Sequence, residues 1–268
     1  MVKTRLILVG ICAAVILLLF QLPKAVVESD REIATPTDSV ASHIETHRQV
    51  PAELKSQIAQ LRRFLSTAPS KEKNAIFADS LATLYRLASQ FDSAAWYAEE
   101  AAAFFNTIDS WVKAGDAYYQ AYTLAVDPAR QTTFAAKTQE YYGKVLDAQP
   151  GNLDVKTRLA MTYIAPGTAM QGINILQEVL KANPKHEAAL FNMGMLSIQS
   201  GQYGRAVERL RSLIAVNPEH LQGQLLLGVA LMENGETEAA RQQFAKVKGM
   251  SNDPAVQATI DSYLKDLK

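Results

Sequence analysis

The sequence predicts an all-α fold: a series of stacked helix-turn-helix repeats behind an N-terminal transmembrane helix. Three features of the 268-residue chain carry that prediction. Several residue types recur in phase every 34 positions. The apolar residues between them fall at helical spacing. One uncharged run of 17 residues, 6–22, stands near the N-terminus.

The repeat is the strongest of the three. Pro150, Pro184 and Pro218 stand 34 residues apart, as do Gly167, Gly201 and Gly235. Gly194 and Gly228 keep the step, with Ala160 one copy earlier, and Ala206 and Ala240 keep it with Gly172. Tyr142, Leu176, Leu210 and Phe244 form a fourth series, His186 and His220 a fifth. Within one unit, residues 188–200 place apolar residues at helical spacing. Gly201 then supplies a left-handed stop. A second amphipathic helix spans 202–217, and Pro218 blocks its continuation. Gly194 and Ala206 are small where two antiparallel helices approach; Tyr203 and Leu210 are the large fillers. A hairpin of this size cannot bury its own apolar face, so it must stack on neighbours.

This unit resembles the tetratricopeptide repeat (TPR) family. Residues 187–220 carry Leu190, Met193-Gly194, Tyr203, Ala206, Leu210 and Pro218 in that family's pattern. Residues 221–254 carry Leu227-Gly228, Ala240, Phe244 and Val247; residues 153–186 carry Leu159-Ala160, Tyr163, Gly172, Leu176, Val179 and Pro184. An earlier copy, 75–108, shows Leu81-Ala82, Tyr85, Phe91, Ala94, Ala98 and Ala101. The resemblance implies a right-handed superhelical array over 75–254. In it, 109–152 is irregular: Trp111 to Pro150 is 39 residues, and Asp127-Pro128 marks a turn between two extended helices. Residues 51–74 lead into the array. Val50, Leu54, Ile58, Leu61 and Leu65 recur every three or four positions there, giving an amphipathic helix over 51–66 that caps the first repeat or, alternatively, docks a partner. Residues 255–268 form a charged C-terminal capping helix.

The run LILVGICAAVILLLFQL (6–22) spans ~25 Å as a helix at ~1.5 Å per residue, near the bilayer requirement. A cleaved signal peptide is the rival reading, but Val27-Glu28-Ser29 is a poor cleavage site. Cys12 follows Ile11 too early in the run for a lipoprotein. An uncleaved signal-anchor over 1–22 is therefore preferred, followed by a flexible polar tether over 23–50. Lys3 and Arg5 precede the run; Lys24 and Arg31 follow among Glu28, Asp30 and Glu32. Counting basic residues and the terminal amine favours N-terminus in, repeats out. The expectation is a single-pass protein of a bacterial-type inner (cytoplasmic) membrane, its repeats facing the periplasm.

Formal net charge is zero, with 27 basic and 27 acidic residues and no basic stripe, so nucleic acid is not an expected partner. The single cysteine permits no disulfide within the chain. No catalytic constellation stands out. His43 and His47 are spaced for a shared metal on a helix but lack a third ligand, so they read as solvated. His186 and His220 read as surface turn residues, and Glu99-Glu100 as a solvated face. The chain is not expected to be an enzyme or to need a metal or other cofactor.

Binding remains. By resemblance, the first helices of successive repeats line a concave groove. The groove residues are then Arg158, Met161 and Ile164; Phe191, Asn192, Met195 and Ile198; and Leu225, Leu226, Val229 and Met232. The chaperone-binding members of the family capture a C-terminal carboxylate with Lys, Asn and Arg. Here Arg158 and Asn192 match, but Thr157 stands where a Lys is wanted. The groove is otherwise apolar and rich in adaptable Met. It either binds a protein or peptide or belongs to the interhelical core. Tyr118, Tyr119, Tyr122, Tyr141 and Tyr142 either fill the extended repeat or form a second contact patch.

Three functional readings follow. The first is a membrane-tethered TPR scaffold held by residues 6–22. The second is a dedicated assembly or maturation factor, resembling the TPR subunits of cytochrome c biogenesis or of the translocon. The third is a self-assembling structural array.

Overall fold

The structure, a computed structural model, describes residues 50–165 and 167–267. The anchor read at 1–22, nearly all of the tether at 23–50, and His43 and His47 lie outside the described residues. Among these, all regular structure is helical, and no helix is long and apolar enough to cross a membrane. Helix α1 (Ala52–Ser66) precedes five helical hairpins. They are α2 (Lys71–Leu87) with α3 (Phe91–Phe105), α4 (Ile108–Leu124) with α5 (Pro128–Ala148), α6 (Leu153–Met161) with α7 (Ala169–Ala182), α8 (Glu187–Gln199) with α9 (Tyr203–Val216), and α10 (Leu221–Glu233) with α11 (Thr237–Met250). Helix α12 (Pro254–Asp266) follows.

Two kinds of turn alternate, each with its own chemistry. Between the helices of four of the five hairpins the chain passes through one left-handed residue, among them Gly201 at φ 70° and Gly235 at φ 81°; the turn from α4 to α5 has none. The next amide then reaches back five residues, Gln202 to the Ser197 carbonyl at 2.8 Å and Glu236 to Leu231 at 2.9 Å. This satisfies carbonyls at the helix end without a side chain. Ser89 takes the same role in the first hairpin at φ 59°, and Gln90 N–H reaches the Tyr85 carbonyl at 2.9 Å.

Between hairpins the turns are built from side chains. The Oδ1 atoms of Asn183 and Asn217 accept from Lys185 and Glu219 N–H, closing turns across Pro184 and Pro218. His186 and His220 then cap the next helix: Nδ1 accepts from Ala189 N–H at 3.3 Å and from Gly223 N–H at 3.0 Å. Neither is the free surface residue its turn position suggested. His186 Nε2 also lies 3.2 Å from Asp154 Oδ1, and the His220 ring stacks on Phe191 at 5.2 Å. Ser70, Thr107 and Asn152 cap α2, α4 and α6 in the same place. Every first helix of a hairpin therefore starts on a side-chain cap.

Stacking buries the core as successive clusters along the array. In the last repeats Leu210, Leu213, Phe244, Val247 and Ile260 are fully buried together, and Tyr263 of α12 stacks on Phe244 at 4.9 Å. Small residues admit these fillers. A Cβ at Gly228 would stand 2.6 Å from the Phe244 ring, and one at Gly172 would strike the Ala160 carbonyl. At the other end, Ile58, Leu61 and Leu65 of α1 cover Leu81, Tyr85 and Ala94.

The irregular repeat contains helices of 17 and 21 residues, against 13 and 14 in α8 and α9. Tyrosines fill the added space: Tyr118, Tyr141 and Tyr142 are buried, and Tyr119 and Tyr122 are half-buried beside them. Helix α6, by contrast, is short. It ends at Met161, so Ile164, read as a groove residue, lies in the turn beyond it.

Two comparisons test this packing. Gly172→Ala should destabilise the protein by about 1–3 kcal/mol in urea unfolding, because a backbone carbonyl cannot move aside. Gly143→Ala, in open space within α5, should stabilise it by about 0.5–1 kcal/mol. His220→Ala should cost about 1 kcal/mol through the lost cap, and His220→Asn should recover most of it, as Asn152 does natively.

Candidate functional site

The first helices of the hairpins carry half-buried and exposed side chains whose chemistry differs between the two halves of the array. From α2 to α6 this row of side chains is ionic. Asp79 pairs with Lys113 at 3.3 Å, and Lys113 also with Asp109 at 3.2 Å. Asp116 accepts from Arg158 Nη1 at 2.5 Å and from the Tyr142 hydroxyl at 2.6 Å. The Tyr122 hydroxyl donates to the Met161 carbonyl at 3.1 Å, and Gln139 Nε2 donates to Thr162 Oγ1 at 3.0 Å. The end of α6 is thus tied to both α4 and α5.

From Met161 onward the row is apolar. Phe191, Ile198, Leu225, Leu226, Val229 and Met232 are each half-buried, one side packed on the core of α8 to α12. Met161 packs likewise on the α6–α8 core, while Asn192 and Met195 are half-buried outside these clusters. Beneath the row, Gln224 is fully buried and hydrogen-bonded. Its Nε2 donates to the Pro218 carbonyl at 2.6 Å, and its Oε1 accepts from Gln243 at 2.6 Å. Among the described residues no buried side-chain nitrogen or oxygen lacks a partner.

All eleven groove residues read from the sequence are half-buried. The structure divides their roles. Arg158 is committed to Asp116 and Ile164 belongs to a turn, so neither stands free for a ligand. Thr157 is buried with its hydroxyl on the Leu153 carbonyl, and Arg158 is already neutralised; this arrangement does not form a carboxylate clamp.

Sequence reasoning missed the ion pairs that join successive repeats. Their signal is present: Asp79 and Lys113 are opposite charges 34 residues apart. It also misread Glu99. That carboxylate is not part of a solvated face. It accepts from the Tyr118 and Tyr141 hydroxyls and from Lys137 Nζ, the last two at 3.3 and 2.6 Å. Burial raises the ionisation of Tyr118, Tyr141 and Tyr142 far above the usual value. The carboxylate each faces, Glu99 or Asp116, raises it further. Lys137 is also raised, first by its hydrogen bond to Glu99. Among the described residues no three His, Cys, Asp or Glu side chains converge to hold a metal ion.

Three comparisons bear on this architecture. The family described as "Surface lipoprotein assembly modifier, N-terminal TPR repeats" matches residues 167–244, from the turn before α7 into α11. A tetratricopeptide repeat protein from Parabacteroides merdae ATCC 43184 has a similar structure, with a TM-score of 0.59 at 17% identity, over 80% of this chain and 82% of that one. A thermophilic TPR protein in Thermus thermophilus gives a TM-score of 0.54 at 15% identity, over 71% of this chain and 98% of its own. At such identities the likeness is one of fold. No curated protein matches the chain.

The buried tyrosines make a pH test. A proton held more tightly in the folded state stabilises it fully below the unfolded tyrosine value. That stability is lost as pH rises through about 10 and beyond. Urea midpoints should therefore be flat across neutral pH and fall steeply above about pH 10. Tyr142→Phe should weaken that fall relative to wild type.

Proposed function

We propose that this chain, whose fold is that of tetratricopeptide-repeat proteins, serves as a membrane-tethered scaffold binding a protein or peptide through the apolar half of its first-helix row. One observation carries the reading. Phe191, Ile198, Leu225, Leu226, Val229 and Met232 are neither buried nor fully exposed. Each is seated by core packing on one side and leaves its other side to solvent. A row of apolar side chains held rigidly by the fold loses little entropy on binding, and Met195 and Met232 can adapt to different partner surfaces. The ionic half, from Asp79 to Arg158, pairs its charges internally and acts as a rigid support.

In this reading residues 6–22 anchor the chain in the inner membrane and the repeats face the periplasm. The matched family favours a more specific form of the proposal: the bound protein is a client of envelope assembly, as the words "lipoprotein assembly" in that family's description suggest. Copies of the chain binding one another through the same row is the competing use of the surface.

A photo-cross-linking residue placed at Met195 in the full-length chain, in its own membranes, tests this. The expected outcome is a discrete adduct at position 195 and none at Gln242, an exposed position on a second helix. Adduct at both positions, or at neither, overturns the proposal. An adduct of twice the chain's own mass assigns the row to self-association. Alkaline carbonate should leave the protein in the membrane pellet, and removing residues 1–22 should release it.

A further inference from the structure

The second helix of the first repeat breaks a rule the other four obey. The large or small fillers Ala98, Tyr142, Leu176, Leu210 and Phe244 are all buried and mark equivalent positions. Two residues before each filler, the later repeats place Glu140, Asn174, Glu208 and Gln242, all polar and exposed. Helix α3 places Trp96 there, 45% exposed. Two turns further along the same face it carries Phe104, 44% exposed, with Glu100 between them at helical spacing. A tryptophan half-exposed to water, at a position that is polar in the other four repeats, is not needed to bury the core.

The rings border a cavity of about 470 Å³. Its floor is made of alanines, Ala75 and Ala78 of α2 and Ala103 of α3, and Leu65 closes the end beneath α1. The cavity exists because α1 covers only part of this face. Ile58, Leu61 and Leu65 pack toward Leu81, Tyr85, Ala94 and Tyr97, which leaves the Trp96 side uncovered. Glu100 forms no hydrogen bond or ion pair among the described residues, in contrast to its neighbour Glu99. Lys71 stands on the α2 rim without pairing with Glu100.

We propose that this cavity binds one arginine side chain presented by a protein partner. The aliphatic stem lies along Leu65 and the alanine floor. The guanidinium stacks against Trp96 and Phe104, whose faces attract cations, and pairs with Glu100. The site lies on α1, α2 and α3 and is separate from the apolar row of α8 and α10.

The probe is a peptide capped at both ends, with one arginine between leucines. Its control is the twin carrying citrulline, which keeps the shape and removes the charge. The readout is the indole N–H signal of Trp96 in the full chain held in mild detergent. Trp111, whose Nε1 donates to Asn106 Oδ1 at 3.2 Å, serves as the internal reference. The arginine peptide should shift the Trp96 signal saturably and bind about tenfold more tightly than its citrulline twin. Glu100→Gln should lose about the same factor while keeping wild-type helicity. Met195→Asp should leave binding unchanged, which separates this site from the row. Equal binding of the two peptides, wild-type affinity in Glu100→Gln, or no saturable shift at Trp96 overturns the proposal.

Discussion

No helix of this chain can bury its own apolar stripe, and everything else in the structure is arranged around that constraint. Three of the hairpins close by seating a large side chain of the second helix on a glycine of the first, Tyr142 on Gly115, Leu210 on Gly194 and Phe244 on Gly228. The next hairpin then covers what remains. Apolar burial drives this stacking, but the close approach of the helices sets its geometry. The turns serve the same end: one left-handed residue inside four of the hairpins, a side-chain cap between hairpins. Both satisfy helix ends without adding bulk where the units must meet.

The extended repeat shows how the array absorbs an irregularity. Longer helices open more volume than aliphatic side chains fill, and tyrosines occupy it. A buried phenol needs a partner for its hydroxyl. Glu99 and Asp116 supply it, and each also holds a cation, Lys137 or Arg158. Two carboxylates thereby tie α3 to α5 and α4 to both α5 and α6. The same pairs remove those charges from any ligand role and leave the exposed binding chemistry to other parts of the surface.

Two such parts remain, and both depend on incomplete coverage. The first-helix row of the later repeats is half-buried because neighbouring hairpins cover one side of it only. The Trp96 face is open because α1 covers one side of α3 only. In each, a rigid core holds apolar groups at the surface in a fixed conformation.

Much of this was legible in the chain itself. The 34-residue series, the helical spacing of apolar residues and the Gly201 and Pro218 stops are local or periodic properties, and they specify helices, hairpins and stacking. The fillers Leu210 and Phe244 were identifiable because the pattern demands size at those positions. The roles of Glu99, Asp116 and Arg158 were not, because a carboxylate on a helix looks solvated until the helix beside it is known. His186 and His220 illustrate the same limit: their recurrence was visible, their capping bonds were not. Nor could any local pattern show that α6 stops at Met161, leaving Ile164 off the row, or that α1 leaves Trp96 uncovered. Sequence by itself determined the repeating secondary structure, because propensity and periodicity act over short range. Only the tertiary structure decided which charges are paired and which apolar side chains face water, because both depend on the helix that packs alongside.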